Sequence, residues 1–258
     1  MKRLINTLIR AVGYELAPLS RRDTLLGSLL NLKRLGVRPA TVIDVGAAYG
    51  DFTRVCRSVF TEASYLLIEP LEEYGPGLEA FARSNPQTHV VRVAAGASEG
   101  EASIHVHSDL VGSSFFHEFE GSDVDGFQRT VRTTSIDAMV SAAGLVGPFL
   151  LKVDVQGAER DVISGAMHTL GVADLVLLEV SLLGFFDGAP QASETVAFMD
   201  ALGFVPYDLF GLSHRPLDGA LAQVDVLFVS KQSQLRHDRR YATPDQRRIL
   251  TERLKARR

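Results

Sequence analysis

The first chemical signal lies in a glycine-rich bend and a distant glutamate. Asp44-Val-Gly46-Ala-Ala-Tyr-Gly50 follows the β-branched run Thr41-Val-Ile and precedes Phe52, Val55, Cys56 and Val59 at helical spacing, so the bend joins a strand to a helix. Glycines suit such a bend because the chain must turn sharply and let a ligand approach its backbone. The helix that follows begins with unpaired N–H groups. The dinucleotide form G-x-G-x-x-G is absent and no lysine follows in the P-loop arrangement, which argues against a pyrophosphate and against triphosphate hydrolysis. Glu69 closes the next strand, 25 residues after Asp44, and Pro70 follows it. A carboxylate there can accept hydrogen bonds from a ribose diol, each of about 1.5–3 kcal/mol. Bend and glutamate together specify an adenosine compound without a pyrophosphate, its amino-acid end resting against residues 46–50: S-adenosylmethionine. The plainer reading of the same residues is a structural turn capped by an acid.

A second group lies in the run Phe149 to Val155. Strand alternation places Lys152, Asp154 and Gln156 on one side and Val153 and Val155 on the other. Polar side chains in an apolar strand are costly unless paired or used, and ligands of such sheets bind at the carboxyl ends of the strands. Asp154 is therefore expected to orient the acceptor, contact the cofactor's amino group or hold a metal. Lys152 either assists it or forms an ion pair with Asp154 or Glu159, and Glu159 opens a helix whose dipole favours a carboxylate. His117, in Ser113-Ser-Phe-Phe-His117, can take the acceptor's proton near neutral pH, against the plainer reading of a solvated loop histidine. His105 and His107 share a strand face and, lacking a third ligand, read as surface residues. Phe115, Phe116, Phe119, Phe185 and Phe186 either wall an acceptor pocket or simply pack.

The elements that must position these residues alternate along the chain. A helix is expected from Asp23 to Leu35, then strands Thr41 to Gly46, Ser64 to Glu69, His89 to Ala95, Phe149 to Val155 and Asp174 to Val180, with helices between them. Near-continuous apolar strands separated by helices indicate a doubly wound α/β fold with a mostly parallel sheet. Between Glu101 and Thr134 the rhythm breaks into a hairpin and loop inserted into the sheet. A helix from Ser193 to Leu202 and strands Phe204 to Phe210 and Val224 to Val229 complete the domain. The expected organisation is a helical extension over residues 1–37, a catalytic domain over 38–230, and a basic tail over 231–258.

Composition limits the alternatives. The lone Cys56 cannot form an internal disulfide, and no Cys/His cluster has zinc spacing, which argues against a secreted disulfide scaffold and a structural zinc site. A reducing, cytoplasmic setting is the default. Residues 1–40 carry eight Lys/Arg against Glu15 and Asp23, and residues 231–258 carry ten against Asp238, Asp245 and Glu252. With a net charge of −4 the body between them is acidic, which does not suit a nucleic-acid groove. Leu4, Ile5, Leu8, Ile9 and Val12 repeat at helical spacing, so residues 1–17 read as an amphipathic helix packed on the domain or on a second subunit of a homo-oligomer. The alternative is peripheral contact with a membrane surface through its basic flank.

Six segments resemble the FkbM-type methyltransferases, in the order found in that family: Val42-Ile-Asp-Val-Gly-Ala-Ala-Tyr-Gly50, Ile68-Glu-Pro70, Ser113-Ser-Phe115, Thr134-Ser-Ile-Asp137, Leu150-Leu-Lys-Val-Asp-Val-Gln-Gly-Ala-Glu159 and Leu178-Glu-Val-Ser181. Many members carry Glu where this chain has Gln156. The resemblance implies a class I, Rossmann-like methyltransferase that uses S-adenosylmethionine on hydroxyl oxygens of sugars, glycolipids or natural products. It implies that residues 46–50 bind the methionine portion, Glu69 the ribose, and that Ala94-Ala95-Gly96 lies beside the adenine; the expected cofactor contacts are Asp44, Gly46, Ala47, Tyr49, Gly50, Glu69, Pro70, Ala94, Ala95, Ser114 and Asp154. It places Glu179 near Asp154 at the acceptor mouth; with Lys152 and His117 from the residue reading, the expected catalytic set is Asp154, Lys152, Glu179 and His117. Magnesium between the two carboxylates is not favoured, and no metal ligand is assigned. The rival expectations are a non-catalytic S-adenosylmethionine-binding module and a nicotinamide-dependent oxidoreductase, the latter opposed by the missing glycines.

Overall fold

The computed structural model describes residues 21–256. The amphipathic helix expected over residues 1–17 lies outside the described residues. The described chain forms ten strands: β1 Thr41–Val45, β2 Ser64–Ile68, β3 Thr88–Val91, β4 Ala94–Ala95, β5 Gly100–Val106, β6 Phe127–Thr134, β7 Phe149–Val153, β8 Ala173–Ser181, β9 Phe204–His214 and β10 Leu221–Ser230. Seven make one sheet in the order β3-β2-β1-β7-β8-β10-β9, parallel from β3 to β8 and antiparallel at β10 and β9. The doubly wound α/β expectation therefore holds.

Alternation along the strands divides the core into two layers. Ile43, Val45, Leu66, Ile68, Leu151 and Val153 face one side, where they meet Ile136, Met139, Val162, Ile163 and Met199 from the helices. Val42, Tyr65, Leu67 and Leu150 face the other, against Leu29, Leu32, Cys56, Val59 and Leu78. Both faces are dry, which is why β1 and β7 read as unbroken apolar runs apart from Asp44 and Lys152. The helix Leu25–Arg34 is capped by the Thr24 hydroxyl and tied to β9 through the Ser28 hydroxyl, 2.7 Å from Asp208. Among the described residues, no helix is long and apolar enough to cross a membrane.

Several expectations are corrected. The run His89 to Ala95 is not one strand: β3 ends at Val91, and Ala94–Ala95 leave the main sheet to pair with Thr133 and Thr134. The hairpin of β5 and β6 is consequently not inserted in the main sheet but forms a second sheet, β4-β6-β5. Val162, Ile163, Ala166, Met167 and Leu170, whose apolar spacing predicts one helix, lie across two, Glu159–Ser164 and Met167–Gly171. They break at Gly165, where a Cβ would lie 2.1 Å from the Gly96 carbonyl oxygen, so strand exit and helix break share one close approach. An unforeseen helix, Ile136–Ala142, is capped by Ser135. Its Asp137 accepts the N–H groups of His168 and Thr169, which ties it to the second half of the broken pair.

Gly46 has the strictest backbone requirement of the sheet edge. Its φ is +72°, and an added Cβ would lie 1.9 Å from the carbonyl oxygen of Asp154. Replacement of Gly46 by Ala should cost about 2 kcal/mol or more through strain and overpacking. Thermal unfolding would show this as a clear drop in Tm, whereas Gly77→Ala, in open space, should leave Tm nearly unchanged.

Candidate active site

The bend after β1 is built by the strand register. β1 lies parallel to β2, and the Ile68 carbonyl accepts the N–H groups of both Gly46 and Ala47, at 3.0 and 3.1 Å. Ala48, at φ +43°, donates its N–H to Glu69 Oε2 at 2.9 Å, and Gly50 donates to the Ala47 carbonyl at 2.6 Å. The N–H groups of Gly46, Ala47 and Ala48 are thus spent on β2 and on Glu69 beyond it, and only that of Gly50 on the bend itself. The bend offers a ligand a close backbone wall with side-chain acceptors beside it, and the unpaired donors expected here belong to the first turn of the helix Asp51–Val59, whose first intrahelical donor is Arg54.

Glu69 is the acceptor on one side. It is 5% exposed, with Oε1 taking the Leu71 N–H at 3.0 Å and Oε2 taking that of Ala48. Each oxygen keeps a further lone pair, and burial pushes the carboxyl above its ordinary range. One carboxylate therefore pins the bend to the start of the next segment while facing a cavity. That cavity is lined by Gly46, Ala48, Glu69, Pro70, Ala94, Ala95, Asp154 and Gln156, and roofed by Leu110, Val111, Ser113 and Phe115 of the β5–β6 loop.

On the opposite side sits a buried cation. Parallel pairing of β1 and β7 sets Asp44 beside Lys152. The Lys152 ammonium lies 3.4 Å from Asp44, 3.2 Å from Asp154 and 3.2 Å from the Gly46 carbonyl. Burial alone would lower its pKa, but the charges of Asp154 and Asp44 prevail and hold it above the ordinary lysine value. Asp44 is fully buried, accepts from the Thr53 hydroxyl at 2.7 Å and does not line the cavity, so it anchors the site from below. The expected alternative partner of Lys152, Glu159, is elsewhere: its carboxylate accepts the N–H groups of Val155 and Gly157, and burial raises it to about 6.

Beyond Asp154 the strand ends bear a hydrogen-bonded array. The Gln156 amide donates to Asp154 at 3.2 Å and to Glu179 at 2.8 Å, and Gln223 donates to the same Glu179 oxygen at 2.7 Å. Asp225 pairs directly across from Glu179 in the antiparallel register. Burial, then the negative charges of Asp154 and Asp225, push Glu179 up to about 9, and burial with Asp154 raises Asp225 to about 6. Gln156 itself is held at φ +54°, and its carbonyl accepts the Ser114 hydroxyl at 2.6 Å.

With this geometry in view, the FkbM methyltransferase domain model matches residues 44–206. The chain belongs to the FkbM methyltransferase family. A curated relative, the hexuronic acid methyltransferase AglP of Haloferax volcanii, is 27% identical over 139 residues, 53% of this chain and 54% of the relative, so the chain spans about half the relative's length. Among solved structures, the methyltransferase FkbM of Methylobacillus flagellatus is 14% identical with a TM-score of 0.44, covering 72% of this chain and 43% of that one. The 1,6-didemethyltoxoflavin-N1-methyltransferase of Burkholderia thailandensis, solved with that substrate and S-adenosylhomocysteine, is 15% identical with a TM-score of 0.41, covering 80% and 76%.

In this FkbM-family chain the residues singled out from the sequence separate into groups. Gly46, Glu69, Pro70, Ala94, Ala95 and Asp154 line the roofed cavity. Ala47, Tyr49 and Lys152 line an adjoining hollow that shares Gly46, Ala48 and Asp154 with it and contains Asp225. Tyr49 is exposed and stands edge-on to Tyr74 at 4.8 Å. Gly50 is the N-cap of the helix Asp51–Val59, and Ser114 is 1% exposed with its hydroxyl spent on Gln156, so its neighbours Ser113 and Phe115 reach the cavity instead. His117 lines neither hollow; its Nδ1 lies 2.7 Å from Asp125. His105 and His107 are buried at 6% and 4% exposure, contrary to the surface expectation, because β5 packs one face under the loop. Of the phenylalanines, Phe115 is at the cavity, Phe186 is buried and Phe119 is exposed. The sequence reading missed Gln223 and Asp225, although an aspartate inside the apolar run Val224-Asp-Val-Leu-Phe is the same signal that marked Asp154.

Two stability measurements follow from these contacts. Lys152→Met leaves the buried Asp44 without its cation and the half-buried Asp154 without its closest positive partner, with an expected loss of about 3–5 kcal/mol in denaturant unfolding. The Glu179 carboxyl is raised in the folded chain above its unfolded value of 4.5, so the unfolded chain releases that proton first. Its contribution is full below the unfolded value and is lost as pH rises towards 9, at up to about 1.4 kcal/mol per pH unit. Glu179→Gln removes that dependence, so Tm scans from pH 5 to 9 should show the native chain falling progressively below the variant.

Proposed function

We propose that the chain transfers the methyl group of S-adenosylmethionine to a hydroxyl of a sugar or glycosylated small molecule. The observation that carries this reading is the pairing, in one roofed cavity, of the Glu69 carboxylate with the Asp154–Gln156 strand end. The residues fit the cofactor by their chemistry: two carboxylate oxygens with lone pairs to spare meet a diol, the small apolar Ala94 and Ala95 meet a flat ring, and Asp154 meets an ammonium. When bound, S-adenosylmethionine supplies an activated methyl on a sulfonium.

The chain's own residues have the remaining tasks. Glu69 orients the ribose, and Asp154, itself oriented by Lys152 and Gln156, holds the amino-acid end. Gln156, Gln223 and Asp225 present donors and acceptors suited to sugar hydroxyls. Asp225, raised to about 6, is the carboxylate best matched to receiving a hydroxyl proton near neutral pH, a contribution of about 10²–10⁴-fold. Alignment of the reactants contributes more, about 7–11 kcal/mol. Glu179, protonated at neutral pH, positions the two glutamine amides and does not act as a base. The Leu110–Phe115 roof excludes water from the reacting atoms.

Calorimetry with S-adenosylhomocysteine tests the cofactor assignment. Glu69→Gln should weaken binding by about 1.5–3 kcal/mol, and unchanged affinity in a folded variant would overturn the ribose role. Mass spectrometry of reactions with a panel of neutral glycosides and uronic acids, the latter prompted by the archaeal relative, should show a gain of one methylene on oxygen. Asp225→Asn should lower kcat about 10²-fold or more and remove the rise in rate with pH around 6.

A further inference from the structure

Away from the cavity lining, β5 and the loop that follows it bring together three imidazoles and two carboxylates. His105 Nδ1 lies 3.0 Å and His117 Nδ1 2.7 Å from the same oxygen, Oδ2 of Asp125. The two rings stand 4.2 Å apart at 60°, so both nitrogens converge on one point from different directions. One ligand atom from each of these residues falls within 4.8 Å of the others. A second observation comes from His107. It is 4% exposed, its Nε2 has no hydrogen-bond partner, and that nitrogen lies 4.0 Å from the other oxygen of Asp125.

We propose that His105, His117 and Asp125 bind a divalent transition-metal ion of the zinc class, with His107 standing behind the carboxylate. Two imidazole nitrogens and one carboxylate oxygen are a borderline-soft donor set that suits zinc, cobalt, nickel or copper and not magnesium or calcium. Donors about 2.0–2.1 Å from a tetrahedral ion stand ~3.3 Å apart, so the two contacts to Asp125, at 3.0 and 2.7 Å, open by about half an ångström while the imidazole nitrogens, within 4.8 Å of each other, draw together. The surroundings favour the required state of each ligand. Asp125 Oδ1 is occupied by the Glu118 N–H at 3.0 Å, which turns Oδ2 towards the two rings. The Gln128 amide nitrogen lies 3.5 Å from His105 Nε2; turning the amide over sets its oxygen there to accept the Nε2 proton, which leaves Nδ1 as the free lone pair for the ion. His107 Nδ1 faces Glu118 at 3.5 Å, and a Cβ on Gly112 would strike that nitrogen at 2.7 Å, so the loop is moulded onto the cluster. The exposed side of His117 leaves a position for water.

The ion would join β5 to the middle and the far end of the loop whose Leu110, Val111, Ser113 and Phe115 roof the cavity. It would therefore act as a staple for that roof, and its binding does not depend on the function proposed above. Local spacing gave no hint of zinc because the ligands come from a strand, a loop and the short helix Ser122–Asp125.

The untagged full chain, stripped with a chelator and titrated with zinc against a chromophoric competitor, should bind about one ion at micromolar or tighter affinity, with no magnesium binding at millimolar levels. Cobalt(II) should give visible bands of a low-coordinate nitrogen and oxygen site. His117→Ala changes an exposed side chain and should weaken zinc about 10-fold or more, as should Asp125→Asn. The double variant His105→Ala/His117→Ala should lose saturable binding, while His214→Ala should retain it, with circular dichroism confirming that each variant is folded. Absence of saturable zinc binding in the native chain, or its persistence in the folded double variant, would overturn the proposal.

Discussion

The ammonium of Lys152 lies beneath the first bend among three oxygens, from Asp44, Gly46 and Asp154, and the geometry around it constrains the site. An ammonium 8% exposed is tolerated only with full compensation, so each partner must be where it is. Asp44 comes from the neighbouring strand, the Gly46 carbonyl from the bend itself and Asp154 from the strand end. The cation thereby couples the backbone path of the bend to the orientation of the carboxylate across the cavity. Gly46 has no room for a side chain because the bend lies directly against the Asp154 carbonyl.

A second constraint arises where like charges crowd. Asp154, Glu179 and Asp225 gather at one end of the sheet, and two of them resist ionisation. The chain offsets this repulsion with two amides, Gln156 and Gln223, both donating to Glu179. A glutamate at position 156 would supply no such donor in its charged form, so glutamine is the chemically consistent residue beside a raised Glu179. The carbonyl of Gln156 accepts the Ser114 hydroxyl, which carries the order of this array into the loop over the cavity. Phe119 and Asp187 backbone bonds to Phe185 and His117 then sew that loop to the one after β8.

Much of this architecture is legible from residue patterns, and particular residues show why. Asp44, Lys152 and Asp154 are conspicuous because each interrupts a run of buried aliphatic side chains, where an ionisable group is costly. Glu69 is legible from its distance to the bend, and the bend from glycines flanked by a strand and a helix. The same logic applies to Asp225, but the direction of its strand is not evident from residue order. Only an antiparallel β10 brings the start of a late strand to the carboxyl ends of the parallel ones. The pairing of the bend's N–H groups is equally hidden, because their acceptor, the Ile68 carbonyl, depends on register and not on local sequence.

Residue order is enough to reveal the strand-helix alternation, the two-faced burial of the sheet and Asp44, Lys152 and Asp154 as charged groups at its edge, though not Asp225, because these follow from periodicity and from the cost of burying charge. The folded arrangement sets which carboxylates are held against ionisation, that Ala94–Ala95 belong to a second sheet, and that three histidines and an aspartate meet at one loop. These are relations between segments distant in the chain, set by pairing register and by close backbone approaches such as Gly165 on Gly96. Period and composition carry no information about such distances, since they record which face a residue occupies and not which neighbour it finds there.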